Sequence, residues 1–182
     1  MHIACLLSDD FEDSEFRAPY DAFRDAGHDV TIIGAAEGKK LRGKKGVEEV
    51  YTNKGIDEVR PEHFDALFIP GGGSPDRLRA DDRFVGFTRA FSRKPVFAIC
   101  HGPQLLITAD MVRGREMTAW KTVQVDLVNA GARVSDVDVV VDEDWVTSRQ
   151  PTDIPAFIRE ALQVLVRHDG VASAGGVQHA AS

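Results

Sequence analysis

Two cysteines in 182 residues are too few for a disulfide framework, and Cys5 and Cys100 read as reduced thiols. No apolar run is long enough to span a bilayer, and the opening "MHIACLLSDDFEDSE" turns acidic before a signal-peptide core develops. Basic residues are in deficit: 22 Lys and Arg stand against 29 Asp and Glu, a formal net charge of -7. Neither a nucleic-acid footprint nor attraction to an anionic membrane is expected of such a surface. Apart from the neighbours Cys100 and His101, no His/Cys pair has metal-ligand spacing, so neither metal nor cofactor is expected. Internal repeats are also missing. What remains is a single soluble, cytoplasmic domain whose partners are small molecules, proteins or copies of itself.

Along the chain, short apolar runs alternate with stretches of helical spacing. "HIACLLS" reads as a strand, "RAPYDAFRDAG" as a helix stopped by Gly27, and "HDVTIIGAA" as a second buried strand. "EGKKLRGKKGVEEVYTNKGIDEV" alternates and carries several glycines, which predicts a surface hairpin with a solvated charge run. "DALFIPGGG" and "KPVFAIC" are strands feeding "SPDRLRADDRFVGFTRAFSR" and "HGPQLLITADMV", which carry helical turns. "GREMTAW" predicts a short strand, "KTVQVDLVNAG" a helix capped at Gly131, and "DVVVDEDWVTSR" two strands around an acidic turn. "TDIPAFIREALQVLVRH" is a closing amphipathic helix. One domain over residues 1–167 and a flexible glycine-rich tail over 168–182 follow. Near-continuous apolar strands between helices imply a mostly parallel, doubly wound α/β sheet, with ligands at the carboxyl ends of its strands.

Three polar clusters follow predicted strands: "DDFEDSE", "PGGGSPD" and "CHGPQ". Around Cys100 the pattern is small-x-Cys-x-small, through Ala98 and Gly102, which is what a strained strand-to-helix elbow demands. Such a turn exposes the sulfur at a helix start, where thiol pKa values fall to about 3.5–7.5. The alternative, a packed thiol at a strand end, is the common fate of a cysteine but does not explain the small flanks. His101 is a candidate acid or base. The later histidines, His168 and His179, lie at or beyond the last helix, which disfavours a triad with a downstream histidine. In the acidic loop of Asp9, Asp10, Glu12, Asp13 and Glu15, one carboxyl protonated by burial would serve the sulfur as proton partner; the residues alone do not single it out. Gly71, Gly72 and Gly73 permit close backbone approach, and their N–H groups together with that of His101 suit an oxyanion hole. "GGGSPDRL" lacks the ending of a phosphate loop. Asp76 reads as a helix-start acid, Trp120 as a pocket wall or core residue, and Cys5 as core.

"DDFEDSEF", "FDALFIPGGGSPDRLR", "KPVFAICHGPQLL" and "VVVDEDWVTSRQPTDIPAF" resemble the PfpI family of intracellular cysteine peptidases and general stress proteins, in the superfamily of the parkinsonism-associated deglycase. The likeness runs over residues 1–167. It implies a flavodoxin-like sandwich, similar to class I glutamine amidotransferases, with Cys100 as nucleophile, Glu12 hydrogen-bonded to its sulfur and His101 as catalytic histidine. The peptidase members take a third acid from a neighbouring subunit, at a place that here holds Asp76. The resemblance implies activity on methylglyoxal or early glycation adducts, so the substrate would be a small aldehyde or a glycated protein. Intracellular peptide hydrolysis and redox sensing through Cys100 are the other activities it suggests. It also implies assembly as a homodimer or hexamer.

Overall fold

In a computed structural model the chain is described over residues 1–175. Seven strands form one sheet: β1 (His2–Leu6), β2 (Asp29–Gly34), β5 (Lys54–Gly55), β6 (Ala66–Ile69), β7 (Val96–Ile99), β10 (Val139–Asp142) and β11 (Trp145–Ser148). Their order across the sheet is β10-β11-β7-β6-β1-β2-β5. Only the β10–β11 pair is antiparallel; every other pairing in this sheet is parallel. β6, β7 and β11 are buried along their full length, and β6 and β7 accordingly read as continuous apolar runs instead of alternating ones.

Side chains alternate across the sheet and divide the core in two. Ile3 and Cys5 of β1 join Phe23 of α1 (Asp13–Asp25) and Phe157 of α6 (Ile154–Gly175) on one face. Ala4 and Leu6 join Leu78 of α2 (Ser74–Leu78), Phe84 of α3 (Asp82–Arg89), Leu105 of α4 (Pro103–Thr108) and Val123 of α5 (Lys121–Asn129) on the other. The doubly wound sandwich is the expected one. The surface hairpin is present as β3 (Lys40–Arg42) against β4 (Glu49–Tyr51), and β8 (Glu116–Met117) pairs with β9 (Arg133–Val134) outside the main sheet.

The tail expected from residue 168 is helical as far as Gly175, because α6 continues through it. The rest of that expectation, residues 176–182, lies outside the described residues. Neighbouring parallel strands β11, β7, β6 and β1 end at one edge of the sheet. The segments that follow them, carrying Pro151, Cys100, Gly72 and Glu12, therefore converge there and line one cavity of about 540 Å³.

Candidate active site

Cys100 follows β7 directly and holds a left-handed backbone with φ 63, a conformation that costs a residue with a Cβ about 1–3 kcal/mol. Backbone bonds hold it there: its N–H donates to Ser148 O at 2.9 Å, and its carbonyl accepts from Trp120 N at 3.0 Å. Gly102 is required by the same turn, since a Cβ there would lie 2.6 Å from Ile69 O. The sulfur is almost covered yet borders the cavity. This is the expected elbow.

The thiol is not in the depressed-pKa state that an open elbow would give. Burial pushes the Cys100 thiol up, a negative charge on Glu15 pushes it further, and the N–H groups of His101 and Gly72 pull it down. Those two amides face the sulfur, so they are the donors placed to receive an oxyanion formed beside it. Gly71 serves another group. Its N–H faces the Glu15 carboxyl, and a Cβ at Gly71 would fall on Glu15 Oε2 and lie 2.7 Å from Cys100 Cβ. Gly72, at φ 79, brings its backbone against Asp10 and Glu12.

The carboxyl that faces the sulfur belongs to Glu15, not to Glu12. Glu12 is the N-cap of α1: its Oε2 accepts from Glu15 N at 2.9 Å and from the Ser14 hydroxyl at 2.5 Å. Its Oε1 pairs with Lys45 Nζ at 2.5 Å. Capping turns Glu12 back onto its own helix, while Glu15, in the first turn, projects toward the strand ends. Burial alone would raise the Glu12 pKa, yet the Lys45 ammonium and the two capping donors hold its carboxyl below the usual range. Glu15 goes the other way, pushed up to about 8 by burial and then by the charge of Glu12. Neither of its oxygens has a well-formed hydrogen bond among the described residues. Two carboxyls three residues apart thus hold opposite protonation states at neutral pH.

His101 Nδ1 lies 3.2 Å from Cys100 Sγ. Burial and then the Lys44 charge lower its pKa, against a raising effect of Asp76, so the ring is neutral near pH 7 and its Nδ1 is able to accept the thiol proton. Asp76 borders the cavity with His101, but its Oδ1 is bound by Arg79 Nε at 2.9 Å. Trp120 walls the cavity and stacks toward the His101 ring, with centroids 6.3 Å apart and planes at 25°. No group of three or more His, Cys, Asp or Glu able to hold a metal occurs among the described residues.

The hairpin contributes two residues that the local sequence presents only as solvated charge. Lys44 and Lys45 both reach the cavity. Buried Asp13 places them: its carboxylate accepts from the N–H groups of Lys45, Val47 and Glu48 at 2.8–3.0 Å. The Lys44 N–H donates to Phe11 O at 2.8 Å. Nothing in the local sequence marks these contacts, which span more than thirty positions.

Residues 1–164 match the family model described as the DJ-1/PfpI family. The chain is 60% identical over 166 residues to an Escherichia coli protein named Protein/nucleic acid deglycase 2, covering 90% of this chain and 96% of that protein. It is 56% identical over 166 residues to General stress protein 18 of Bacillus subtilis, with the same coverage. A solved two-domain protein of Anabaena variabilis, with DJ-1/ThiJ/PfpI-like and ferritin-like domains, superposes with a TM-score of 0.87 at 36% identity. That match covers 90% of this chain and 48% of the other.

Proposed function

Since the chain belongs to the DJ-1/PfpI family, we propose that it is a stress-protective, cysteine-dependent enzyme acting on reactive dicarbonyls such as methylglyoxal and on their early adducts. The observation that carries this reading is the juxtaposition of Cys100 on a left-handed elbow, neutral His101 at 3.2 Å and a protonated Glu15 in one cavity. The names of the two relatives, a deglycase and a general stress protein, support it.

Chemically, His101 takes the thiol proton as Sγ bonds to the aldehyde carbon, and the carbonyl π electrons become an oxyanion beside the Gly72 and His101 N–H groups. Glu15 gives its proton to that oxyanion, completing the hemithioacetal. Its carboxylate then takes the C1 proton while His101 protonates the C2 oxygen, giving an enediol, and Glu15 delivers the proton to C2 and recovers one from the C1 hydroxyl as the thioester forms. Water then cleaves the thioester, returning the thiol and releasing a 2-hydroxy acid. Net consumption is one dicarbonyl and one water, with no outside oxidant or reductant. Peptide hydrolysis is the alternative reading, and its third acid, Asp76, pairs with Arg79 within this chain. Two unpaired thiols fit the expected reducing cytoplasm.

Purified protein should consume methylglyoxal and form lactate in glutathione-free buffer, and Cys100→Ala should abolish the reaction. Absence of turnover combined with rapid peroxide oxidation of Cys100 would overturn this in favour of a redox sensor. Cleavage of an unfolded protein substrate, lost on Asp76→Asn, would support the peptidase.

A further inference from the structure

Among the charged side chains that line the cavity, Lys44 differs from the rest in having no ion-pair partner among the described residues. Glu12 is neutralised by Lys45, and Asp76 by Arg79. Glu15 is fully buried and holds its proton beside ionised Glu12. His101 is neutral. Lys44 also borders the cavity, and among the described residues no carboxylate pairs with it. Its backbone is fixed, since its N–H is bonded to Phe11 O and the next residue's N–H to Asp13. From that loop the Lys44 charge acts on both Glu15 and His101, the two groups beside the nucleophile.

We propose that Lys44 selects substrates bearing an anionic oxygen group, a carboxylate or a phosphate, a few bonds away from the reactive carbonyl. This rests on the dicarbonyl reading above and specifies its substrate class. An ammonium without a carboxylate partner gains from an anion entering the cavity. A bare dicarbonyl such as methylglyoxal offers it nothing. The preferred molecules are a 2-oxoaldehyde with a terminal carboxylate, or a dicarbonyl adduct on a phosphorylated compound. A negative product would also be held, so high salt should weaken product inhibition together with substrate preference.

Turnover distinguishes the two anion sources. The carboxylate arm compares 4,5-dioxopentanoate with uncharged 2-oxopentanal, and the phosphate arm compares the methylglyoxal adduct of guanosine monophosphate with that of guanosine. Wild type should favour the charged member of at least one pair by about two- to fivefold in kcat/KM, the size expected of an exposed ion pair. Lys44→Gln should erase the preference and Lys44→Glu should reverse it.

A measurement independent of turnover separates failure of this proposal from failure of the enzymatic reading. Cys100 is alkylated by iodoacetate or by iodoacetamide, in each case forming an S–C bond with release of iodide and of the thiol proton, and the Cys100 peptide is quantified by mass spectrometry. The iodoacetate to iodoacetamide rate ratio should fall about two- to fivefold in Lys44→Gln, and should stay at the wild-type value in Lys54→Gln, which removes an equal charge from a remote exposed pair. If the ratio is the same in wild type and Lys44→Gln, or falls equally in Lys54→Gln, the proposal is overturned, whether or not methylglyoxal is consumed. A lowered ratio in a protein that turns over no dicarbonyl would leave the anion site standing and remove the enzymatic reading.

Discussion

At the residue scale, Glu12 and Glu15 have the same side chain and opposite roles, set by what surrounds each. Glu15→Gln retains a hydrogen-bond donor beside the sulfur but cannot exchange a proton, so kcat with methylglyoxal should fall about 10²–10⁴-fold. Glu12→Gln should cost less and act on pH: without the Glu12 charge, the Glu15 pKa falls from about 8, and the alkaline limb of the kcat/KM profile should move to lower pH. A limb that does not move would show that Glu12 does not set the Glu15 proton. Stability carries the same signature. Folded Glu15 keeps its proton up to about pH 8, whereas an unfolded glutamate releases it near pH 4.3. The folded state binds the extra proton between these values, so this group's contribution is complete below about pH 4.3 and is lost as pH rises through about 8. Unfolding free energies from urea titration across that window should fall for wild type relative to Glu15→Gln, by an amount on the order of a few kcal/mol at the alkaline end.

At the level of single elements, the elbow and the hairpin loop are held by backbone contacts that leave little room. A methyl at position 102 would meet the carbonyls of Ile69 and Ile99 at 2.6 and 3.0 Å, and neither is a side chain that can swing away. Gly102→Ala should therefore destabilise the fold by about 1–3 kcal/mol and change the alkylation rate of Cys100. Asp13→Ala strips three amides of their acceptor and should cost about 2–3 kcal/mol, with hydrogen exchange accelerating at residues 45–48 before the sheet opens. The strands and helices around these two elements are legible in the sequence. "ALFI" and "VFAI" announce buried parallel strands, and "CHG" between small residues announces the elbow. The sulfur's carboxyl partner is not legible, because "FEDSE" offers two glutamates on one helical face and only the capping geometry assigns them.

Across the molecule, the sheet brings distant segments to one edge, and its core must hold them in register. Phe23 packs edge-to-face on Phe68 at 5.5 Å and against Phe97 at 5.6 Å, tying α1 to β6 and β7. Because α1 carries Glu15 and β7 leads into Cys100, loss of that ring should loosen the site as well as the fold. Phe23→Ala is expected to lower stability by about 3–5 kcal/mol in urea titration, and to raise the alkylation rate of Cys100 under native conditions. No helix among the described residues is long and apolar enough to cross a membrane, and in a chain of acidic composition the cavity is bordered by one ammonium, Lys44, that has no ion-pair partner among the described residues.

Local spacing, burial pattern and backbone sterics suffice for the alternation of strands and helices, the parallel sheet, the elbow at Cys100 and the adjoining histidine, and all four can be read from the residues in order. Three properties of the site come only from folding: which glutamate keeps a proton, which glycine amides face the sulfur, and the membership of Lys44 and Lys45. These depend on burial and on charges brought together from positions far apart in the chain, because a pKa follows its surroundings in space. The stretch around Cys100 names the nucleophile, and the fold around it sets the protonation state in which it works.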